Sequence, residues 1–60
     1  MMFEFAFWSD TNTQLFINWM IDHDKHFTLD SDTRNVMVPM HDMDENVWHQ
    51  LRDLGGSRVD

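Results

Sequence analysis

Sixty residues carry eleven acidic side chains against four basic ones, a formal net charge of -7 at neutral pH, together with three Trp and five Phe. A disordered acidic tail would lack those aromatics, and a nucleic-acid binder would reverse the charge balance. With no cysteine in the chain, disulfides and thiolate metal sites are excluded. A chain this short buries only about 60% of its unfolded surface, so its stability rests on dense aromatic packing, a partner or a second copy of itself.

Met2 to Trp8 alternates, which predicts a first strand with Phe3, Phe5 and Phe7 on a buried face and Trp8 on the opposite one. The same run resembles the apolar part of a signal peptide. Glu4 inside it and the missing basic flank argue against that reading. No stretch approaches the ~20 apolar residues of a membrane span, and the charge opposes an anionic lipid surface. A cytoplasmic protein without membrane contact is the expectation.

Thr11 followed by Gln14 has capping-box spacing and predicts a helix start, with Asp10 at the positive end of its dipole. Leu15, Phe16, Trp19 and Met20 form its apolar stripe, widened by Ile17 and Ile21, and the helix should fade near Asp24 and Lys25. His26–Asp30 and Val36–Met40 read as a hairpin across the turn-forming run from Asp30 to Asn35. Pro39 places that part of the third strand at an edge or an end. A second helix follows, started either by Asp42 with Glu45 in a capping box or by Asp44 with a Met43–Trp48 staple. Val47, Trp48, Leu51 and Leu54 line its apolar face, and Gly55-Gly56 stops it. Ser57 to Asp60 is expected to be a flexible tail, leaving one domain over residues 1–56.

The expected fold class is therefore α+β: a small β-α-β-β-α domain, its three-stranded sheet in the order 1-3-2 with two helices on one face. That arrangement resembles a ferredoxin-like fold truncated before its last strand, at the level of architecture only. It leaves strand one as an open edge rich in Phe, where a second copy could pair, so Phe3, Phe5 and Phe7 are the expected self-association residues and a homodimer the expected state.

Of the chemistry, little rises above capping and turns. Asp22-His23-Asp24-Lys25-His26 is the densest metal-like cluster, with His41 and Asp42 as distant ligands. Its spacing matches no structural zinc pattern, so no metal and no cofactor is expected. The run from Asp30 begins like a calcium loop but has Asn35 where that loop needs glycine and His41 where it needs glutamate. Ser9, Ser31 and Ser57 lack a glycine elbow, and a chain of this size does not readily enclose a cleft of ~300 Å³ or more. The expectation is that the chain is not an enzyme.

Three Asp-x-Asp pairs remain: Asp22/Asp24, Asp30/Asp32 and Asp42/Asp44. In extended chain such residues stand roughly 6.5 Å apart, close to successive phosphates, although caps and turns also explain each pair. Together with Trp8 as an aromatic anchor, these six acids are the expected partner-binding residues. The functional expectation is a protein-binding module that occupies a basic or nucleic-acid-binding protein, contacting no nucleic acid itself. By composition it resembles inhibitors of the bacteriophage or antitoxin kind, with DNA mimicry as the sharper version. The alternatives are a structural homo-oligomer and a His/Asp metal-binding protein using His23 and His26.

Overall fold

In a computed structural model that describes residues 1–60, the alternating N-terminal run forms β1 (Met2–Ala6), shorter than expected because the chain bends at Trp8 and Ser9. Helix α1 spans Asp10–Asp22, and Ser9 rather than Thr11 caps it, its hydroxyl accepting from the Asn12 N–H. Thr13, buried on that first turn, donates its own hydroxyl hydrogen to the Ser9 carbonyl, which ties the cap down. At the far end His23 is the C-cap and Asp24 takes φ +61°. The Asp24 N–H donates to Ile21 O and the Lys25 N–H to Met20 O, the two bonds of a Schellman stop.

Strands β2 (Thr28–Leu29) and β3 (Val36–Pro39) make the expected hairpin, with β2 shorter than the sequence suggested. Asp30 shapes the turn: its Oδ1 accepts from the N–H groups of Asp32 and Thr33, and Arg34 closes the loop at φ +64°. A single 3₁₀ turn, Met40–Asp42, leads to α2 (Glu45–Asp53). Asp44 caps α2, accepting from the Val47 N–H at 3.0 Å, so the second of the two expected starts is the one used.

The residues expected to be a tail instead supply a strand. Gly55, at φ +74°, and Gly56 end α2 in a second Schellman stop and turn the chain into β4 (Ser57–Arg58). The sheet thus has four strands and not three, all antiparallel, in the order β2-β3-β1-β4. This also corrects the edge assignment. β1 is central, paired to β3 from Met2 to Phe5 and to β4 at Phe5 and Ala6. Its partners satisfy both sides of the strand, and the sheet edges are β2 and β4.

Register sets the core. Phe5 faces Val36 and Phe3 faces Val38 across β1 and β3, so these side chains share the face that receives the helices. Phe5, Val36 and Val38 pack with Phe16, Ile17 and Met20 of α1 and Val47 and Leu51 of α2, in one fully buried cluster. Each such side chain contributes about 1.5–3 kcal/mol by leaving water. Trp48 lies edge-on to Phe5, ring centroids 5.7 Å apart, with half its surface in solvent. Several large apolar side chains are exposed: Leu15 and Ile21 on α1, and Met1, Met2, Trp8, Met40, Trp48 and Val59. No helix is long and apolar enough to cross a membrane.

Candidate functional site

The hairpin separates the expected site residues into two groups. Asp22, Asp24, Asp42 and Asp44 gather where α1 ends and α2 begins, joined there by a bond from Lys25 Nζ to Asp44 Oδ2. Asp30 and Asp32 sit in the β2–β3 turn at the other end, the turn whose Thr33, Arg34 and Asn35 share a cavity with Trp8 and the start of α1. Six acids in a single phosphate-like row are not what this fold builds.

At the first end, the segment between α1 and β2 meets the 3₁₀ turn. Asp42 Oδ2 accepts from the backbone N–H of His26 at 3.0 Å and from its ring Nδ1–H at 2.9 Å. His41 Nε2 stands 3.7 Å from the same oxygen. The carboxylate is largely covered, 14% exposed, while both imidazoles are open to solvent. Burial pushes the Asp42 pKa upward, but the two His26 hydrogen bonds and the nearby His41 and His26 rings outweigh it and hold the carboxyl below its usual value. Asp44 is lowered as well, first by its bond from Lys25 and then by the Val47 N–H it caps. His23 is not part of this group. Its ring stacks on Trp19 with centroids 4.1 Å apart, and its Nδ1–H donates to the Trp19 carbonyl. The candidate pair His23 and His26 therefore does not form, and His26 is joined by His41 and Asp42 instead.

At the opposite end, the turn after β1, the first turn of α1 and the β2–β3 turn enclose a half-open polar cavity of about 360 Å³. Phe7, Trp8, Ser9, Asp10, Thr13, Thr33, Arg34 and Asn35 line it. Sequence reasoning did not anticipate this cavity, whose walls come from three separate turns. The Arg34 guanidinium lies 3.7 Å from Asp10 across it. Trp8 is 85% exposed. One face of its indole covers Gly55, where an added Cβ would come within 3.3 Å of the ring. Trp8 thus stands on backbone rather than beneath other side chains, beyond the end of β1 and not on the sheet face opposite the Phe residues.

The self-association residues are likewise placed differently from the expectation. Phe5 is 1% exposed, Phe3 lies under Trp48 and the Arg58 guanidinium, and Phe7 packs on Phe16. All three serve the core, and none lies on a free strand edge. No protein-family model matches the chain, and no curated protein or solved structure matches it.

Proposed function

We propose that this chain is a small acidic module that docks on a basic protein surface through its Trp8 end. The observation that carries the reading is Trp8 itself. A large aromatic ring that is 85% exposed, yet held in place on Gly55, offers contact area at little further cost in side-chain order. Asp10 lines the same cavity, Asp30 and Asp32 lie in the β2–β3 turn whose Thr33, Arg34 and Asn35 line it too, and the whole chain carries a formal charge of -7. That combination favours a cationic partner: long-range attraction steers the encounter, and the ring fills a pocket on arrival. DNA mimicry has less support than docking by a single anchor, because the acids fall at two ends. The homo-oligomer reading through β1 loses its open edge.

For the fold, we infer the complete ferredoxin-like arrangement and not a truncated one. Two β-α-β crossovers interleaved in the strand order 2-3-1-4 support it. Such an architecture hosts many functions, so the site and not the fold carries the functional argument.

The test begins with affinity capture from the native host's lysate at low and at molar salt. Association and dissociation rates of the captured protein then follow for the wild type, Trp8→Ala and the Asp30→Asn/Asp32→Asn pair. Trp8→Ala should raise the off-rate with an unchanged melting profile, while the Asp pair should lower the on-rate and flatten its salt dependence. An acidic partner, or one bound equally well by Trp8→Ala, would overturn the reading.

A further inference from the structure

We propose that His26, His41 and Asp42 form a binding site for a divalent cation of the zinc or nickel type. One ligand atom from each of the three lies within 4.8 Å of the other two. The separations to Asp42 Oδ2, 2.9 Å from His26 Nδ1 and 3.7 Å from His41 Nε2, bracket the about 3.3 Å that separates ligands placed tetrahedrally at zinc bond lengths. Those two pairs stand within about 0.4 Å of that spacing, and rotation of the exposed imidazoles brings the third pair, within 4.8 Å, to it, the His26 Nδ1 proton leaving as the ion binds.

Three features favour an ion there over a chance meeting of polar groups. The Asp42 carboxylate is oriented in advance by the His26 backbone N–H, as the outer contacts of metal sites orient their ligands. Both imidazoles are about three-quarters exposed, so an ion reaches them from bulk water with no opening of the fold. Lys25, which precedes His26 in the chain, is bonded to Asp44, which offsets its charge. Two imidazoles and one carboxylate suit zinc, nickel, cobalt or copper and not the oxygen-seeking magnesium or calcium. With three protein ligands the fourth position stays open to water or to a donor from another molecule. This site lies at the end of the chain's fold away from Trp8 and stands independently of the docking proposal.

The experiment is a calorimetric titration of zinc chloride into chelator-treated, dialysed protein, paired with NMR of the four imidazoles. One ion should bind per chain, shifting the His26 and His41 ring resonances while those of His23 and His49 stay in place. His41→Ala should weaken binding by at least about tenfold, and His23→Ala should leave it unchanged. His41 is exposed, so its replacement spares the fold, which circular dichroism verifies. Asp42→Asn should weaken binding too, but its contacts to His26 make His41→Ala the deciding variant. Wild-type affinity in His41→Ala, ring shifts at His23 instead, or no saturable binding below about 1 mM would each overturn the proposal.

Discussion

Gly56→Ala tests the junction that holds β4 against the core. Glycine is required here for space. A Cβ at Gly56 would stand 2.8 Å from Leu51 Cδ2 and 2.9 and 3.0 Å from Phe7 Cε2 and Cζ, distances that real Cβ atoms do not keep. Leu51 is fully buried in the core, and the Phe7 ring is packed on Phe16 at 5.2 Å between centroids, so neither neighbour yields freely. Overpacking of this kind costs about 1–3 kcal/mol. For a chain of 60 residues, total stability is on the order of 3–9 kcal/mol, so the loss is a substantial fraction of the whole. At roughly 4–8 °C per kcal/mol for a domain this small, the melting temperature should fall by at least about 4 °C. Thermal melts followed by near-ultraviolet circular dichroism, with urea titrations alongside, give the number. The sign is diagnostic, because a glycine with open space around it gains about 0.4–1 kcal/mol from the same substitution through its unfolded state. Adding Phe7→Leu should recover part of the loss, a coupling of at least about 0.5 kcal/mol between contacting positions. A melting temperature at or above that of the wild type, or strictly additive effects with Phe7→Leu, would refute the reasoning.

Deleting residues 57–60 removes the Val59 N–H bond to Glu4 O at 2.9 Å and the Arg58 guanidinium 4.4 Å from the Phe3 ring centre. It should cost roughly 1–3 kcal/mol and, by baring the outer edge of β1, raise the mass seen by light scattering as concentration rises. An equally stable variant of unchanged mass would show that β4 contributes nothing. Stability should also decline in acid, since Asp42, Asp44 and Asp60 all have pKa values lowered by folding, Asp60 chiefly by its bond from Arg58. A lowered folded-state pKa contributes stability that is complete above the unfolded value near 3.8 and is lost as pH falls through and below it. Asp44→Asn keeps a competent N-cap but does not titrate, so urea midpoints measured from neutral pH downward should show a shallower acid decline. A decline as steep as that of the wild type would remove Asp44 from the account.

Periodicity made most of the fold legible. The alternation of β1, the stripes of α1 and α2 and the turn chemistry from Asp30 to Asn35 each marked an element that forms. What escaped was decided by tertiary context. Ser57 and Arg58 show no apolar alternation, and they become a strand only because β1 offers an unpaired side beside the exit of α2. Ser9, Asp10, Thr11 and Asn12 are all able to cap a helix. The choice of Ser9 follows from β1 ending early, at Ala6. For the candidate sites, His23 and His26 are neighbours in the sequence cluster, but α1 has already ended when the chain reaches His26. The left-handed turn at Asp24 sends His26 toward the 3₁₀ turn and leaves His23 on Trp19. His41 and Asp42, noted in the sequence only as distant ligands, turn out to be the companions of His26.

The distribution of charge among these residues separates what the acids do for the fold from what they leave for a partner. Asp30 holds the hairpin turn, Asp44 caps α2, Asp42 fixes the approach to β2 and Asp60 clasps Arg58, so these four are partly engaged within the molecule. Asp22, Asp24 and Asp32 have no side-chain partner and are exposed, two at the C-terminal end of α1 and one in the β2–β3 turn at the opposite end. α1 runs for 13 residues between those ends, about 20 Å at the rise of a helix. That is more than twice the ~8 Å over which exposed charges act at physiological ionic strength. Charge added or removed at the His26–His41–Asp42 end is therefore largely screened from the Trp8 end. Two packed elements join those ends: α1, buried along Thr13, Phe16, Ile17 and Met20, and the β2–β3 hairpin, which runs from His26 and Asp42 at one end to Thr33, Arg34 and Asn35 at the other. Any coupling between the two surfaces therefore has to pass through the core these elements share.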